Sequence, residues 1–217
     1  MTAPVKVEVR KNTFWLSHEK AMFWEQQQAL IVSDLHLGKT GHFRKSGIAV
    51  PQSVYKKDLQ RLFHLVQFFN PLQLLIVGDM FHSEGNKEME WFERWRKDIK
   101  STSVKLIKGN HDILDNSWYH NMDIEVIEEQ LRMDDFLFTH HPGKKDQGYV
   151  FCGHIHPGVR INGLGKQSLR FPCFYFTPTY SILPAFGGFT GFVAIEPARE
   201  DKVYAIVNNS VIALQEE

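Results

Sequence analysis

The chain has 217 residues, of which 43% are hydrophobic, a size and composition that suit one compact domain with a sizeable core and exclude a disordered polypeptide. Lys plus Arg and Asp plus Glu both number 25, giving no formal net charge, so the chain lacks the basic excess of a protein that wraps duplex DNA non-specifically; a local basic groove is still compatible with this balance. Two cysteines, Cys152 and Cys173, are too few for a disulfide framework and fit a reducing compartment.

The N-terminal residues mix charges from Lys6 onward and have no apolar signal-peptide core. Apolar runs such as Leu74 to Val77 are far too short to span a bilayer. We read a cytoplasmic protein that makes no membrane contact. No internal repeat, low-complexity tract or linker is visible, so residues 1–217 are expected to form a single domain.

In chain order, five short apolar runs each lead straight into polar, metal-capable residues. Ala29 to Val32 precedes Asp34 and His36, and Leu74 to Val77 precedes Gly78-Asp79. Val104 to Ile107 precedes Gly109-Asn110-His111-Asp112. Phe136 to Phe138 precedes Thr139-His140, and Tyr149 to Cys152 precedes Gly153-His154-Ile155-His156. Runs this short, rich in branched and aromatic residues, predict buried strands. Helices lie between the first of them. Tyr55, Leu59, Leu62, Val66 and Phe69 recur at helical spacing, with Pro51 before them and Asn70-Pro71 after. Trp91, Trp95 and Ile99 do the same between Lys87 and Lys100, and we read the tryptophans as core anchors.

Alternation of strand and helix predicts an α/β fold with a largely parallel sheet, whose strand ends bring the five motifs to one edge. After His156, short β-prone runs alternate with Pro and Gly: Leu169 to Phe171, Phe174 to Phe176, Phe189 to Ile195 and Val203 to Val207. These predict a second, antiparallel-rich sheet, which Val5 to Val9 and Phe14 to Leu16 are expected to join.

The residue types point to a metal site. Asp34 and His36 stand two apart, so both side chains face one way if strand geometry persists, and His154 and His156 repeat that spacing. The carboxylate of Asp79 has two oxygens and can bridge two cations; Asn110 offers a neutral amide oxygen. Mixed imidazole and carboxylate ligands suit Mn, Fe, Zn or Ni better than Ca or Cu(I), with Mn the expected ion. Each motif alone is weak: Gly-Asp is a turn signal, and Gly-Asn-His-Asp is equally a turn with a helix cap. Their order, each after a predicted strand, is the specific signal. His18, His64 and His120 match no motif and read as ordinary histidines.

The pattern D-x-H, G-D, G-N-H-[DE], H and G-H-x-H, over residues 29 to 156, resembles the calcineurin-like metallophosphoesterase superfamily. The resemblance implies a four-layered α/β/β/α sandwich and a two-metal phosphoesterase. Carried over, Asp34, His36, Asp79 and His156 would hold one ion, and Asp79, Asn110, His140 and His154 the other, with a hydroxide between them as nucleophile. His140 rather than His141 matches the ligand position, because it follows the apolar run Phe136 to Phe138 directly. His111 would not ligate; it would give a proton or hydrogen bond to the leaving oxygen.

Many members carry an acidic residue three positions after the bridging Asp, orienting the catalytic His. Here that position is His82, as in the double-strand-break repair nucleases of the superfamily, and Asp112 or Glu84 is left to orient His111. The stretches Ser33 to Pro51 and Gly78 to Ser83 are similar to a narrower bacterial family, the ligase-associated DNA damage response endonucleases. That likeness implies a DNA endonuclease linked to repair, with a DNA ligase and a helicase as partners. The basic loop Lys39, His42, Arg44 and Lys45 would meet substrate phosphates, with a solvated loop as the alternative; Arg44, Lys45 and His82 are the expected substrate contacts. The competing function is a small-molecule phosphoesterase acting on nucleotides or a lipid-sugar diphosphate. Lipid A pathway hydrolases share the Asp-x-His-Leu start but typically carry Arg where this chain has His111. A ligand-depleted scaffold is the third reading, and the intact ligand set argues against it.

Overall fold

The computed structural model describes residues 2–38, 53–81, 87–143, 148–163 and 167–214. Strands β1 (Val5–Val9), β2 (Asn12–Ser17), β3 (Ala21–Trp24) and β4 (Ala29–Ser33) follow one another as antiparallel neighbours. Helix α1 (Ser53–Phe69) then crosses to β5 (Gln73–Val77), and α2 (Lys87–Asp98) to β6 (Ser103–Ile107). The short helix α3 (Asn116–Asn121) leads to β7 (Ile124–Ile127), and β4 to β7 run parallel. The first sheet therefore has the order β1-β2-β3-β4-β5-β6-β7.

The second sheet holds β8 (Gln130–Met133), β9 (Phe136–Thr139), β10 (Tyr149–Cys152), β11 (Pro157–Asn162), β12 (Ser168–Phe176), β13 (Tyr180–Ile182), β14 (Val193–Ala194), β15 (Lys202–Val207) and β16 (Ser210–Leu214). It is mixed: β9, β10 and β13 are parallel, whereas β12 is antiparallel to β11, β13 and β15.

The fold is the α/β two-sheet sandwich expected from the motifs, with three differences in strand assignment. Val5 to Val9 and Phe14 to Leu16 join the first sheet, not the second, because the tight links β1-β2-β3-β4 pair each strand with the next in sequence. Conversely, β9 and β10, which carry the last two motifs, belong to the second sheet. Three motifs thus come from one sheet and two from the other. The run from Phe189 to Ile195 is a loop containing only the two-residue β14.

Burial follows side-chain alternation. On β4, Leu30 and Val32 face the helices with Tyr55, Leu62, Phe92 and Trp95. Ala29 and Ile31 face the second sheet and pack in the core of Phe14, Trp24, Phe136, Phe138 and Phe151. Every residue of β4 is buried, as expected of a strand covered on both faces. Trp95 is buried, as the helical spacing predicted, while Trp91 is half-buried beneath the Lys56 ammonium, 4.5 Å from its ring centroid. The far face of the second sheet buries Leu137, Val150, Cys152, Cys173 and Ile182. Both cysteines are free, and burial pushes each thiol up to about 12. Among the described residues no helix is long and apolar enough to cross a membrane.

Phe14 ties the sheets together: fully buried on β2, it lies 5.4 Å from the Phe136 ring and 5.1 Å from that of Phe151 across the interface. Truncating so enclosed an aromatic typically costs about 3–5 kcal/mol. Phe14→Ala should therefore lower the urea midpoint strongly with an unchanged slope, whereas Phe68→Ala, at a site 51% exposed, should leave it nearly in place.

Candidate metal centre

The five motifs sit just past the ends of β4, β5, β6, β9 and β10. The backbone stitches them together where the regular strands stop. Asp34 N–H donates to Gly78 O at 3.1 Å and His36 N–H to Asp79 O at 2.9 Å. Gly153 N–H reaches His140 O at 3.1 Å, and His154 N–H donates to the Asp34 carboxylate at 3.0 Å, joining one sheet to the other.

The i, i+2 pairs arise differently from the expected strand geometry. Asp34, His36, Asp79, His154 and His156 all have positive φ, between 47° and 66°. The chain leaves β4, β5 and β10 through left-handed turns, and these aim the side chains inward. Such a conformation costs about 1–2 kcal/mol per non-glycine residue, and strain of this kind clusters at functional sites.

All seven ligand-type residues come together. Asp34, His36 and His156 form one group and Asp34, Asp79 and His140 another, with candidate ligand atoms in each group within 4.8 Å of one another. His156 Nε2 lies 3.2 Å from Asp34 Oδ1 and 3.5 Å from His36 Nε2. Asp79 divides its oxygens: Oδ2 is 3.9 Å from His36 Nε2, and Oδ1 is 3.4 Å from His140 Nε2. His140 Nε2 also lies 3.1 Å from Asn110 Oδ1 and 3.2 Å from His154 Nδ1. That ring nitrogen carries at most one proton, yet three acceptor-bearing groups surround it. A cation satisfies such convergent lone pairs where a single hydrogen cannot, so the donor set fits a divalent metal.

Burial is graded across the cluster. Asp34 (0%) and Asp79 (2%) form the floor, His36 and His140 are buried, and Asn110 and His154 open to solvent. Burial resists ionisation of Asp79, but hydrogen bonds from His140 and from the His111 N–H, with nearby imidazole charge, hold it well below the usual carboxylate range. Burial likewise opposes charge on His140, and its contacts to Asp79 reverse this and raise it. His154 is lowered, by burial first and then by His141 and His140.

His111 lies beside the cluster without entering a ligand group. Its ring centroid is 5.6 Å from that of His36, its Nε2 is 4.0 Å from Asp79 Oδ2, and its side chain is 43% exposed. Asp112 does not orient it. That carboxylate accepts from the N–H groups of Met80 (2.8 Å), Phe81 (3.1 Å) and Gly109 (2.9 Å), binding the second motif to the third. Burial pushes Asp112 up to about 6 against these bonds. Lys39, His42, Arg44, Lys45, His82 and Glu84 lie outside the described residues. His18 is occupied elsewhere, with Thr2 and Glu19.

Two features escaped the sequence. His141 is exposed, and its ring meets that of His154 edge-on with centroids 4.2 Å apart, forming a third ligand-type group with His140 and His154; the His140-His141 doublet was its only signal. The loop from Leu183 to Ile195 closes one side of the cluster, with Phe186 N–H donating to Ser33 O (2.8 Å) and Gly187 N–H to Asp34 O (3.1 Å). Nothing in its Pro- and Gly-rich sequence marked that contact.

Two buried carboxylates, an amide and four imidazoles at the adjoining edges of two sheets define a metal-dependent hydrolase. A family model for calcineurin-like phosphoesterases matches residues 28–173, and the chain belongs to that family of metal-dependent phosphoesterases. Among solved structures, a nuclease from Pseudomonas putida, MPE, is 33% identical with a TM-score of 0.84, and the match covers 97% of this chain and 100% of that one. YfcE, a phosphoesterase from E. coli, is 14% identical with a TM-score of 0.43, over 86% of this chain and 97% of that one. Comparison with curated protein sequences finds no match.

A Cβ at Gly109 would stand 2.9 Å from Asp79 Cγ and closer still to Oδ1, and both atoms belong to the buried floor. Overpacking of this kind typically costs about 1–3 kcal/mol. Gly109→Ala should lower the melting temperature by several degrees and weaken metal binding, read by calorimetry and metal analysis. Gly191→Ala, with nothing near its Cβ, should change neither.

Proposed function

We propose that the protein is a two-metal phosphodiesterase acting on nucleic acid, DNA foremost, as an endonuclease in repair. The observation that carries this is the division of Asp79, whose two oxygens face His36 on one side and His140 on the other. In this reading Asp34, His36, Asp79 and His156 hold one cation, Asp79, Asn110, His140 and His154 hold the second, and manganese is the best match to the donors. The choice of nucleic acid is supported by the 33% identity to the Pseudomonas putida nuclease across nearly the whole of both chains. Likeness of residues 33–51 and 78–83 to ligase-associated endonucleases supports a cytoplasmic repair setting with a DNA ligase and a helicase. Residues 1–217 act as one domain in this reading, since a shared core joins both sheets.

When bound, the cations supply Lewis acidity at phosphoryl oxygens and lower the pKa of water. The chain's own residues do the rest. Asp34 and Asp79 concentrate negative charge at the floor, where little water screens it. His111, held beside the cluster by the bond from its own N–H to Asp79 Oδ1 (2.9 Å), presents its exposed ring toward solvent, where substrate enters. It donates a hydrogen bond or proton to the departing oxygen. Arg44, Lys45 and His82 are assigned to substrate contacts on the sequence alone.

Manganese-loaded enzyme should hydrolyse bis-p-nitrophenyl phosphate faster than p-nitrophenyl phosphate; comparable or faster monoester turnover would overturn the diesterase reading. Metal analysis should find two ions per chain, and a single ion at saturating manganese would reject the two-metal arrangement.

His111→Ala should keep both ions yet cleave ordinary diesters about 10²–10⁴-fold more slowly. Its loss should be smaller on p-nitrophenyl esters, whose leaving group hardly needs protonation. Asp79→Ala should lose metal as well as rate. Loss of metal by His111→Ala in proportion to activity would show that the imidazole ligates instead.

A further inference from the structure

The loop from Leu183 to Ile195 is pinned at both ends to residues of the cluster. Phe186 and Gly187 bond to Ser33 and Asp34, and Val193 N–H donates to His156 O at 2.9 Å. Asp58 on α1 accepts from Gly188 N–H at 3.0 Å, and Arg61 donates to Phe186 O at 3.2 Å with its guanidinium 4.4 Å from the Phe186 ring centroid. Between these anchors the loop carries two large aromatic side chains toward solvent, Phe189 (44% exposed) and Phe192 (37%). Phe189 lines the same cleft as His36. Phe192 packs against Gly158, two residues beyond His156, where a Cβ would stand 2.9 Å from the ring's Cγ and nearer still to its edge. Gly158 is not among the residues with positive φ, so space for that ring is what the glycine provides.

Strand β11 continues from Gly158 to Arg160, about 7 Å further along the same face. Arg160 pairs directly across the ladder with Arg170 of β12, and both are exposed. Like charges placed opposite one another destabilise a sheet, and among the described residues neither arginine forms an ion pair. From the cluster outward the surface therefore presents fixed aromatic rings and then paired positive charge. This is the combination that holds unpaired nucleic acid, with bases stacking on rings and phosphates meeting cations.

Resting on the phosphodiesterase reading, we infer that Phe189, Phe192 and the Arg160–Arg170 pair form a track for single-stranded DNA leading away from the metal centre. The rings take unpaired bases and the arginines take the backbone. A duplex keeps its bases stacked on each other and offers the rings no face, so the track selects unpaired substrate.

The test is fluorescence anisotropy on the manganese-loaded protein with phosphorothioate oligonucleotides, which resist cleavage. An oligothymidylate of about 12 nucleotides, within the ~4–16 that such grooves hold, is compared with an abasic strand of equal length. Phe192→Leu, which keeps apolar packing on Gly158, and Phe189→Leu should each weaken oligothymidylate binding by about 5- to 100-fold and leave the abasic strand unaffected. Arg160→Gln with Arg170→Gln should weaken both strands and flatten the salt dependence by roughly 0.7 per arginine. Phe68→Ala should change nothing.

Equal loss on both strands in the phenylalanine variants, or no loss on either, would overturn the stacking role. Duplex bound as tightly as single strand would overturn the selectivity, and an oligouridylate bound more tightly would overturn the DNA assignment. In each case, retained turnover of bis-p-nitrophenyl phosphate shows the track failing while the phosphodiesterase reading stands. Failure to hydrolyse any diester would sink that reading itself.

Discussion

Gly78, Gly109 and Gly153 have no Cβ, and the space each leaves is filled by a side chain from a different motif. The His140 ring lies where a Cβ on Gly78 would be, the Asp79 carboxylate occupies that space at Gly109, and the Asp34 carboxylate does so at Gly153. Each pair joins segments distant in sequence, and the contacts at Gly78 and Gly153 cross between the two sheets. The glycines of the motifs are therefore more than turn-formers. Gly78 does need its positive φ of 77°, but the shared requirement is backbone bare enough for a neighbouring ligand to lie flat against it. Interlocking of this kind restrains Asp34, Asp79 and His140, each of which lies against another motif's main chain.

Such restraint matters because the candidate ligands are held against two opposing tendencies. Five of them have left-handed backbones, and two carboxylates share a nearly dry floor. What offsets this is hydrogen bonding of the loops. The N–H groups of residues 34, 36 and 37 continue the β4–β5 pairing past the strand ends, and Asp112 gathers three further N–H groups. A buried carboxylate bonded to backbone amides also explains why Asp112 serves structure rather than catalysis. Its oxygens are turned toward main chain, away from the imidazole of His111, although it is the next residue in sequence.

Much of this was legible in the sequence because each motif follows an apolar run. Strand ends were thus located by hydrophobicity and candidate ligands by chemistry, and the structure brings residues from Asp34 to His156 together at one place. Sheet membership was not legible. A strand such as Phe136–Thr139, buried throughout, has no polar face to say which sheet it joins. Hairpin turns, not composition, settled β1 to β3, whose inner residues Phe14 and Trp24 touch the second sheet while their backbones pair in the first. The turn geometry at Asp34 and His36 was also hidden, because the enrichment of Asp and His in left-handed backbone is too weak to mark a single position. The loop bearing Phe189 and Phe192 reads as strand-prone from its residues, and only its anchors to Ser33, Asp34 and His156 make it part of the site.

For the polyanionic substrate proposed above, a chain of zero formal charge is an unusual host, and the distribution of charge bears on the difficulty. The buried carboxylates contribute negative charge that cations at the cluster would neutralise locally, so the surface a substrate meets is more positive than the residue count implies. Acidic groups elsewhere are spent on neighbours: Glu19 and Asp58 on Arg61, Asp123 on Arg96, and Glu125 on Lys105. Among the described residues Arg160 and Arg170 form no ion pair, and such uncompensated positive charge attracts phosphate at short range. Because the Debye length at physiological ionic strength is only about 8 Å, charge of this kind acts locally. Net neutrality then has a consequence of its own. With no long-range basic field to hold duplex non-specifically, affinity for the proposed substrate would depend on contacts close to the cluster, and an aromatic surface there would count for more than on a basic protein.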